Sequence, residues 1–278
     1  MNFPKERRKF GQNFLVDEDV CQSIMRDIEP RRDGLTIEIG PGDAALTKTL
    51  GHSGRIVAVE IDPKWATKLL EKWSHLPLTV LNEDALKVDL DVEIAKGPNG
   101  VLPVLCGNLP YNRATPIIAR FVPDIRRYRH MLFMVQYEVA KRMCALPGTR
   151  DFGSLTVFVQ NFAHAQLRDV IPPDAFRPRP NVHSATIKLT AREVPLCEDP
   201  RFPWFVKNSF LHKRKTLINA LGYVFPMDIA RTGLACAGIP ESVRAEQVSV
   251  EEWVTLFHAF KPHLPLDLKP VAQEEEEG

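Results

Sequence analysis

Long apolar runs are missing from this sequence. No stretch of its 278 residues approaches the roughly 20 consecutive apolar residues that span a bilayer, and the first residues lack the apolar core of a secretory signal. A soluble, cytoplasmic protein with no membrane partner is expected, and motif-like sequence beginning by Gly11 leaves little room for a mitochondrial transit peptide. Cysteine is scarce. Cys21, Cys106, Cys144, Cys197 and Cys236 are odd in number, widely spaced and without the close pairs that zinc sites use. They read as reduced thiols, mostly in packing positions, so a disulfide scaffold is excluded and no metal is expected. An excess of one charge is missing too: the formal net charge of +1 neither supports nor excludes a nucleic-acid partner. Charge is instead segregated, with Lys5, Arg7, Arg8 and Lys9 near the start and Glu274, Glu275, Glu276 and Glu277 at the end. Acids are absent from Arg201 to Met227, a stretch that carries Lys207, Lys213, Arg214 and Lys215 and suits contact with phosphates.

What is present is the make-up of a globular protein, 44% hydrophobic and 26% charged, with length enough for one large and one small domain. Residues 1–14 read as a basic, partly aromatic arm able to fold over a ligand. Asp17 caps an expected helix whose face carries Val20, Ile24 and Ile28 and which ends near Glu29. Strands are expected at Leu35 to Ile39, Arg55 to Ile61, Leu78 to Leu81, Val101 to Leu105, Met131 to Val135, Leu155 to Phe162 and Ala185 to Leu189, with a helix from Glu138 to Leu146. This alternation predicts an α/β fold, a doubly wound, Rossmann-like and mostly parallel sheet. Pro172 to Pro180 reads as a stiff loop. After residue 192 the pattern becomes helical, over Phe202 to Leu221, Met227 to Ala237 and Val250 to Phe260. The expected division is a domain at 1–192, a helical domain at 193–265 and a disordered, solvated acidic tail at 266–278.

The chemistry is expected at Asn108-Leu109-Pro110-Tyr111, directly after an apolar run. An exocyclic amine on a nucleobase is a poor nucleophile, because its lone pair is delocalised into the ring. A catalyst must therefore hold that nitrogen with acceptors that favour a more tetrahedral geometry. The Asn108 side-chain oxygen is one acceptor. Pro110 holds Leu109 extended, which aims a main-chain carbonyl at the same nitrogen, and Tyr111 offers a face on which a flipped base stacks. An ordinary turn has the same residues.

Gly40-Pro41-Gly42-Asp43-Ala44-Ala45 is a glycine-rich strand-to-helix turn of the kind that receives nucleotides, with Asp43 as an expected helix cap. Glu60, about twenty residues on, stands where such folds place an acid on a ribose, whereas Asp62 reads as a helix cap ahead of Pro63. The turn alone also fits an NAD-dependent oxidoreductase. Charge discriminates: Glu38, Glu60 and Asp84 oppose a pyrophosphate and suit S-adenosylmethionine, which carries sulfonium and ammonium groups. Glu38 reads equally as a buried, hydrogen-bonded strand residue.

Five stretches occur in one order: Lys9-Phe10-Gly11-Gln12-Asn13-Phe14-Leu15, Glu38-Ile39-Gly40-Pro41-Gly42, Asp84-Ala85, Gly107-Asn108-Leu109-Pro110-Tyr111-Asn112 and Phe176-Arg177-Pro178-Arg179-Pro180-Asn181-Val182-His183-Ser184. Together with Phe210 to Thr216 they make the chain closely resemble the small-subunit ribosomal RNA adenine dimethyltransferases over residues 7 to 260. The resemblance implies that Asn13, Leu15, Gly40, Glu60, Asp84 and Asn108 line an S-adenosylmethionine site, with Glu60 on the ribose and Asp84 on the adenine amine. Asn108, Leu109, Pro110 and Tyr111 would hold the target, and Tyr111 and Phe176 would sandwich its base. It implies transfer of two methyl groups to N6 of each of two adjacent adenosines near the 3′ end of small-subunit rRNA, within a pre-ribosomal particle, by a monomer. The nearest alternative is the large-subunit rRNA adenine N6-methyltransferase type. A different class is a non-catalytic RNA-binding or assembly factor, or a mitochondrial transcription factor of the same fold. The sequence departs from the family at Ala44, Arg113 and Tyr137.

Overall fold

The computed structural model describes residues 13–51, 54–212 and 214–265. The basic arm Lys5 to Lys9, residues Phe10 to Gln12, Lys213 and the acidic tail lie outside the described residues. Among the described residues nine strands follow in chain order: β1 Phe14–Leu15, β2 Leu35–Ile39, β3 Arg55–Val59, β4 Leu78–Leu81, β5 Val104–Asn108, β6 His130–Gln136, β7 Ala163–Ile171, β8 Phe176–Arg177 and β9 Ser184–Ala191. Seven form one sheet in the order β4-β3-β2-β5-β6-β9-β7. The pairs from β4 to β6 are parallel, and β9 runs antiparallel to β6. Parallel strands covered on both faces read as unbroken apolar runs, and all five residues of β2 are buried. The strand order reverses between β2 and β5, so the loops leaving their C-terminal ends diverge and open a crevice there.

Helix ends obey local chemistry. Asp17 caps Glu18–Ile28, its carboxylate accepting from the Val20 N–H at 3.1 Å, and Asp62 caps Pro63–Trp73 by accepting from the Lys64 N–H at 2.9 Å. Asp43 caps nothing: residues 42–46 form turns, the following helix is Thr47–Leu50, and Asp43 is exposed. Ala44 holds a left-handed φ of 65° in that turn, a conformation to which glycine is better suited.

Other expectations are corrected. The strand expected from Val101 is β5, which starts at Val104 and runs on to Asn108. Gly107 lies so close to β2 that a Cβ there would sit 2.3 Å from the Ile39 carbonyl oxygen, so the glycine continues the strand instead of ending it. Leu155 to Phe162 is not a strand but most of the helix Ser154–Phe162. Its start is set by Gly153, whose N–H donates to the Thr156 hydroxyl at 3.0 Å, and a short apolar run buried on several sides does not reveal its period. The strand β7, which alternates exposed and covered residues from Ala163 onward, was not among the expectations. The proline-rich loop contains β8, paired antiparallel with β1. Phe210–His212 and Arg214, expected within a helix, form turns, since the helices on either side are Phe202–Ser209 and Leu217–Leu221.

The chain divides into two units. One comprises the described residues through Ala140 with His164–Ala191, and the other comprises Lys141–Ala163 with the described residues from Arg192. The expected boundary at residue 192 therefore has an insertion, Lys141–Ala163, that packs with the helical unit. That unit's core is aromatic: the Phe205 ring lies 5.3–6.2 Å from those of Phe225, Trp253, Phe257 and Phe260.

Glu38, in the middle of the parallel sheet, is buried and accepts from the Thr47 hydroxyl at 2.6 Å. Burial pushes its pKa from 4.5 to about 7, helped by the nearby Glu60 charge and opposed by the Thr47 bond. Between those two pH values the folded protein holds a proton that the unfolded chain has released, so this group costs stability as pH rises from 4.5 to about 7, and the cost is constant above. Glu38→Gln removes that slope. In urea melts, the variant's stability relative to the parent should be greater at pH 8 than at pH 4 by roughly 3 kcal/mol. An equal difference at the two pH values would show that Glu38 ionises normally.

Candidate active site

The crevice between the loops after β2 and β5 is a cavity of about 320 Å³. Every expected site residue but one lines it: Asn13, Leu15, Gly40, Glu60, Asp84, Asn108, Leu109, Pro110 and Tyr111. The exception is Phe176. Its side chain is wholly buried in the core of the first unit with Leu15, Ile171 and Ala175 and does not face the cavity, because β8 pairs with β1 and turns that ring inward. The expected sandwich is therefore not formed here: of its two residues, only Tyr111 lines the cavity.

At the cofactor end, Gly40 and Gly42 adopt positive φ of 67° and 52°. A Cβ on Gly42 would meet the Phe14 ring at 2.9 Å, so the turn must stay bare. Glu60 immediately follows β3 and is buried. Its two carboxylate oxygens accept from the N–H of Gly42 at 3.0 Å and of Asp62 at 2.9 Å. Burial raises its pKa, while these two donors pull it down. The carboxylate is thus locked to the glycine turn at the cavity wall. Across the cavity Asp84 accepts from the Leu86 N–H at 2.9 Å, and the Arg113 guanidinium lies 3.6 Å from its other oxygen. The departure at Arg113 thereby places a cation on the acid that the resemblance assigns to an adenine amine.

At the reaction end, β5 delivers Asn108. Its side-chain nitrogen donates to the Asn13 carbonyl at 3.0 Å, and since that carbonyl can only accept, the amide orientation is fixed with Oδ1 left as an acceptor. The Leu109 N–H is tied to the Met134 carbonyl at 3.0 Å, and the Pro110 carbonyl accepts from the Arg113 N–H at 2.9 Å. The Leu109 carbonyl accepts no hydrogen bond among the described residues. Two oxygens, Asn108 Oδ1 and the Leu109 carbonyl, remain on adjacent residues. Such a pair holds an amine through its N–H groups.

Tyr111 is half-buried, and its hydroxyl lies 2.6 Å from the Ser184 hydroxyl. Burial raises the phenol's pKa and the serine bond opposes the rise, so the ring is neutral and anchored at its far end. Sequence reasoning gave Ser184 no role, although it lies in the quoted Phe176 to Ser184 stretch; only pairing of β6 with β9 brings it to Tyr111. Tyr111→Phe and Ser184→Ala should each slow turnover by about two- to threefold through a looser ring, while Tyr111→Ala should cost about 5–150-fold, since base–aromatic stacking contributes about 1–3 kcal/mol. The double variant Tyr111→Phe/Ser184→Ala should be no worse than either single one, because both remove one bond. Additive losses in single-turnover rates would mean that the two hydroxyls act separately.

Residues 3–261 match the family model described as ribosomal RNA adenine dimethylase. The chain belongs to the ribosomal RNA adenine dimethylase family. Members similar to it include the ribosomal RNA small subunit methyltransferase A of Lactococcus lactis, 37% identical over 265 residues that cover 92% of this chain and 90% of that protein. The protein of that name from Streptococcus pneumoniae is 38% identical over 266 residues, covering 92% of each chain. Among solved structures, the dimethyladenosine transferase from Plasmodium falciparum has the same fold, with a TM-score of 0.74 at 20% identity over 90% of this chain and 98% of that one. The 23S rRNA methyltransferase ErmE superposes with a TM-score of 0.65 at 26% identity, covering 90% of this chain and all of that one. In this dimethylase, then, the crevice at the strand-order reversal carries both the glycine turn and the Asn-Leu-Pro-Tyr segment.

Proposed function

We propose that this dimethylase transfers two methyl groups from S-adenosylmethionine to N6 of each of two adjacent adenosines near the 3′ end of small-subunit rRNA in a pre-ribosomal particle. The observation that carries the reading is the Asn108 amide, pinned by Asn13 so that its oxygen and the Leu109 carbonyl are both available to one amine. S-adenosylmethionine, when bound, supplies an electrophilic methyl group on a sulfonium. Carboxylates fit it: Glu60 would accept from the ribose hydroxyls and Asp84 from the adenine amine, and neither tolerates a pyrophosphate beside it. The target base stacks on Tyr111, and its N6–H groups donate to Asn108 Oδ1 and the Leu109 carbonyl. These bonds draw the nitrogen lone pair out of conjugation and aim it along the methyl-transfer line. The surplus proton leaves to water after transfer. No metal is needed, since protein oxygens supply every acceptor.

Phe176 would join the stack only by leaving the core. Exposed Arg214 and Lys215, in a turn where the His212 ring lies 4.0 Å from that of Tyr223, give the helical unit a basic, aromatic surface that supports an RNA contact. The small-subunit target is favoured over the large-subunit one because the relatives of 37–38% identity are small-subunit methyltransferases, whereas ErmE stands at 26%.

The test uses small-subunit particles from a strain lacking this methylation. Incubation with the protein and S-adenosylmethionine should create a strong primer-extension stop at two adjacent adenosines, because a dimethylated N6 cannot pair. Methylation of large-subunit RNA alone, or of neither, would overturn the reading.

A further inference from the structure

The helix Pro63–Trp73 carries two parallel rows. Lys64, Lys68 and Lys72 recur every four residues and are exposed; beside them Trp65, Leu69 and Trp73 recur with the same spacing, the tryptophans half-buried and Leu69 fully buried. The ammonium of Lys68 stands 4.3 Å from the Trp65 ring centre, and that of Lys72 stands 5.3 Å from the Trp73 ring centre. Lys68 and Lys72 of the one row and Trp65, Leu69 and Trp73 of the other border a groove of about 380 Å³ whose other wall is the turn Gly42–Ala44; Lys64 lies one turn beyond it. Trp65 also packs on Phe14, with ring centres 5.1 Å apart, and Phe14 lines the cofactor cavity.

A helix face that is merely solvated gains from opposite charges four residues apart and loses a few tenths of a kcal/mol for each like pair. This face has like charges at both steps, and among the described residues none of the three lysines is paired with a carboxylate. Asp43 and Glu71 also border the groove and temper the field there, but neither interrupts the lysine row. Three cations over about 12 Å of helix match a polyanion that runs along the axis. Trp65 is taken up by Lys68 and Phe14, whereas Trp73 is half-buried, with Lys72 over its ring and the His75 ring tilted at 45° and 5.7 Å away. A base stacks on Trp73 by displacing one of these surface neighbours, as single-stranded bases do on indole faces.

We propose that this face is a second RNA-binding surface, which holds unpaired rRNA outside the target adenosines: its phosphates on Lys64, Lys68 and Lys72, and a base on Trp73. The proposal rests on the rRNA-methyltransferase reading and adds a contact that none of the site residues supplies. The binding partner is a single-stranded polyribonucleotide. An acidic protein is the competing occupant.

The experiment measures binding of a fluorescein-labelled, unstructured oligoribonucleotide by anisotropy over a salt series, with S-adenosylmethionine affinity measured in parallel by calorimetry. The variants are Lys64→Ala/Lys68→Ala/Lys72→Ala, Trp73→Ala and Trp73→Phe. The triple variant should bind RNA at least tenfold more weakly at low salt, with the logarithmic salt slope reduced by about two, since each lost contact to a single strand removes about 0.7. Trp73→Ala should weaken binding about tenfold, and Trp73→Phe should restore most of it, as a merely structural indole would not. S-adenosylmethionine affinity should stay within twofold for all three. Parental RNA affinity and slope in the triple variant overturn the proposal, as does loss of binding to a fluorescein-labelled polyglutamate with RNA binding unchanged. A parent that methylates particles while the variants bind RNA normally refutes this surface alone. A parent that neither binds the methyl donor nor methylates particles refutes the function on which it rests.

Discussion

Asn108→Ala should reduce methyl transfer by about 10²–10³-fold, the usual cost of removing one oriented group that acts at the reacting centre. The loss should appear in the single-turnover rate, with RNA affinity within a few-fold of the parent, because base stacking on Tyr111 remains. Asn108→Asp should be nearly as damaging, for a reason visible only in the structure. Aspartate keeps an acceptor for the amine, but it faces the Asn13 carbonyl, which is itself an acceptor and sits 3.0 Å from the present amide nitrogen. Repulsion there turns the carboxylate away from the line on which the amine must lie. A rate within tenfold of the parent for Asn108→Ala, with saturating cofactor and RNA, would show that the amide oxygen does not hold the amine.

Glu60→Ala should weaken S-adenosylmethionine binding by about 1.5–3 kcal/mol, or roughly 10–150-fold, the range for hydrogen bonds to a charged acceptor. The same change frees the buried N–H of Gly42 and loosens the glycine turn, so calorimetry should be accompanied by a thermal melt. The pH dependence separates the two contributions. Because burial holds the Glu60 carboxyl above its ordinary value, protonation should weaken the parent's cofactor affinity as pH falls, beginning above the usual carboxylate range. The alanine variant should lack that fall. Parental affinity in a folded Glu60→Ala protein would remove the ribose assignment.

The glycine turn, Glu60, Asp84 and the Asn-Leu-Pro-Tyr segment are legible in the sequence, because each is short and local and needs a particular residue type. A positive φ calls for glycine, a helix start calls for Asp17 or Asp62, and a buried parallel strand calls for an unbroken apolar run such as Leu35–Ile39. Legibility fails where two structures satisfy one pattern. Leu155 to Phe162 is apolar enough for a buried strand or a buried helix, and a hydrogen bond from Gly153 to Thr156 decides for the helix. Val101 to Leu105 suggests a strand three residues early, because close contact with Ile39 at Gly107 is a property of the neighbouring strand and not of the segment.

By itself the sequence determined which groups the proposed chemistry can draw on: oxygens able to hold an amine, carboxylates suited to a cationic methyl donor, and their order along the chain. Tertiary structure alone decided how those groups are aimed. The reversal of strand order between β2 and β5 brings residues 13, 42, 60, 84 and 108 to one crevice. Antiparallel pairing of β9 with β6 sets Ser184 against Tyr111, and pairing of β8 with β1 turns Phe176 into the core. The physical reason is range. Backbone conformation and charge type act within a few residues, whereas the direction of a side chain across a sheet depends on the register of strands far apart in sequence, where a one-residue slip reverses every face.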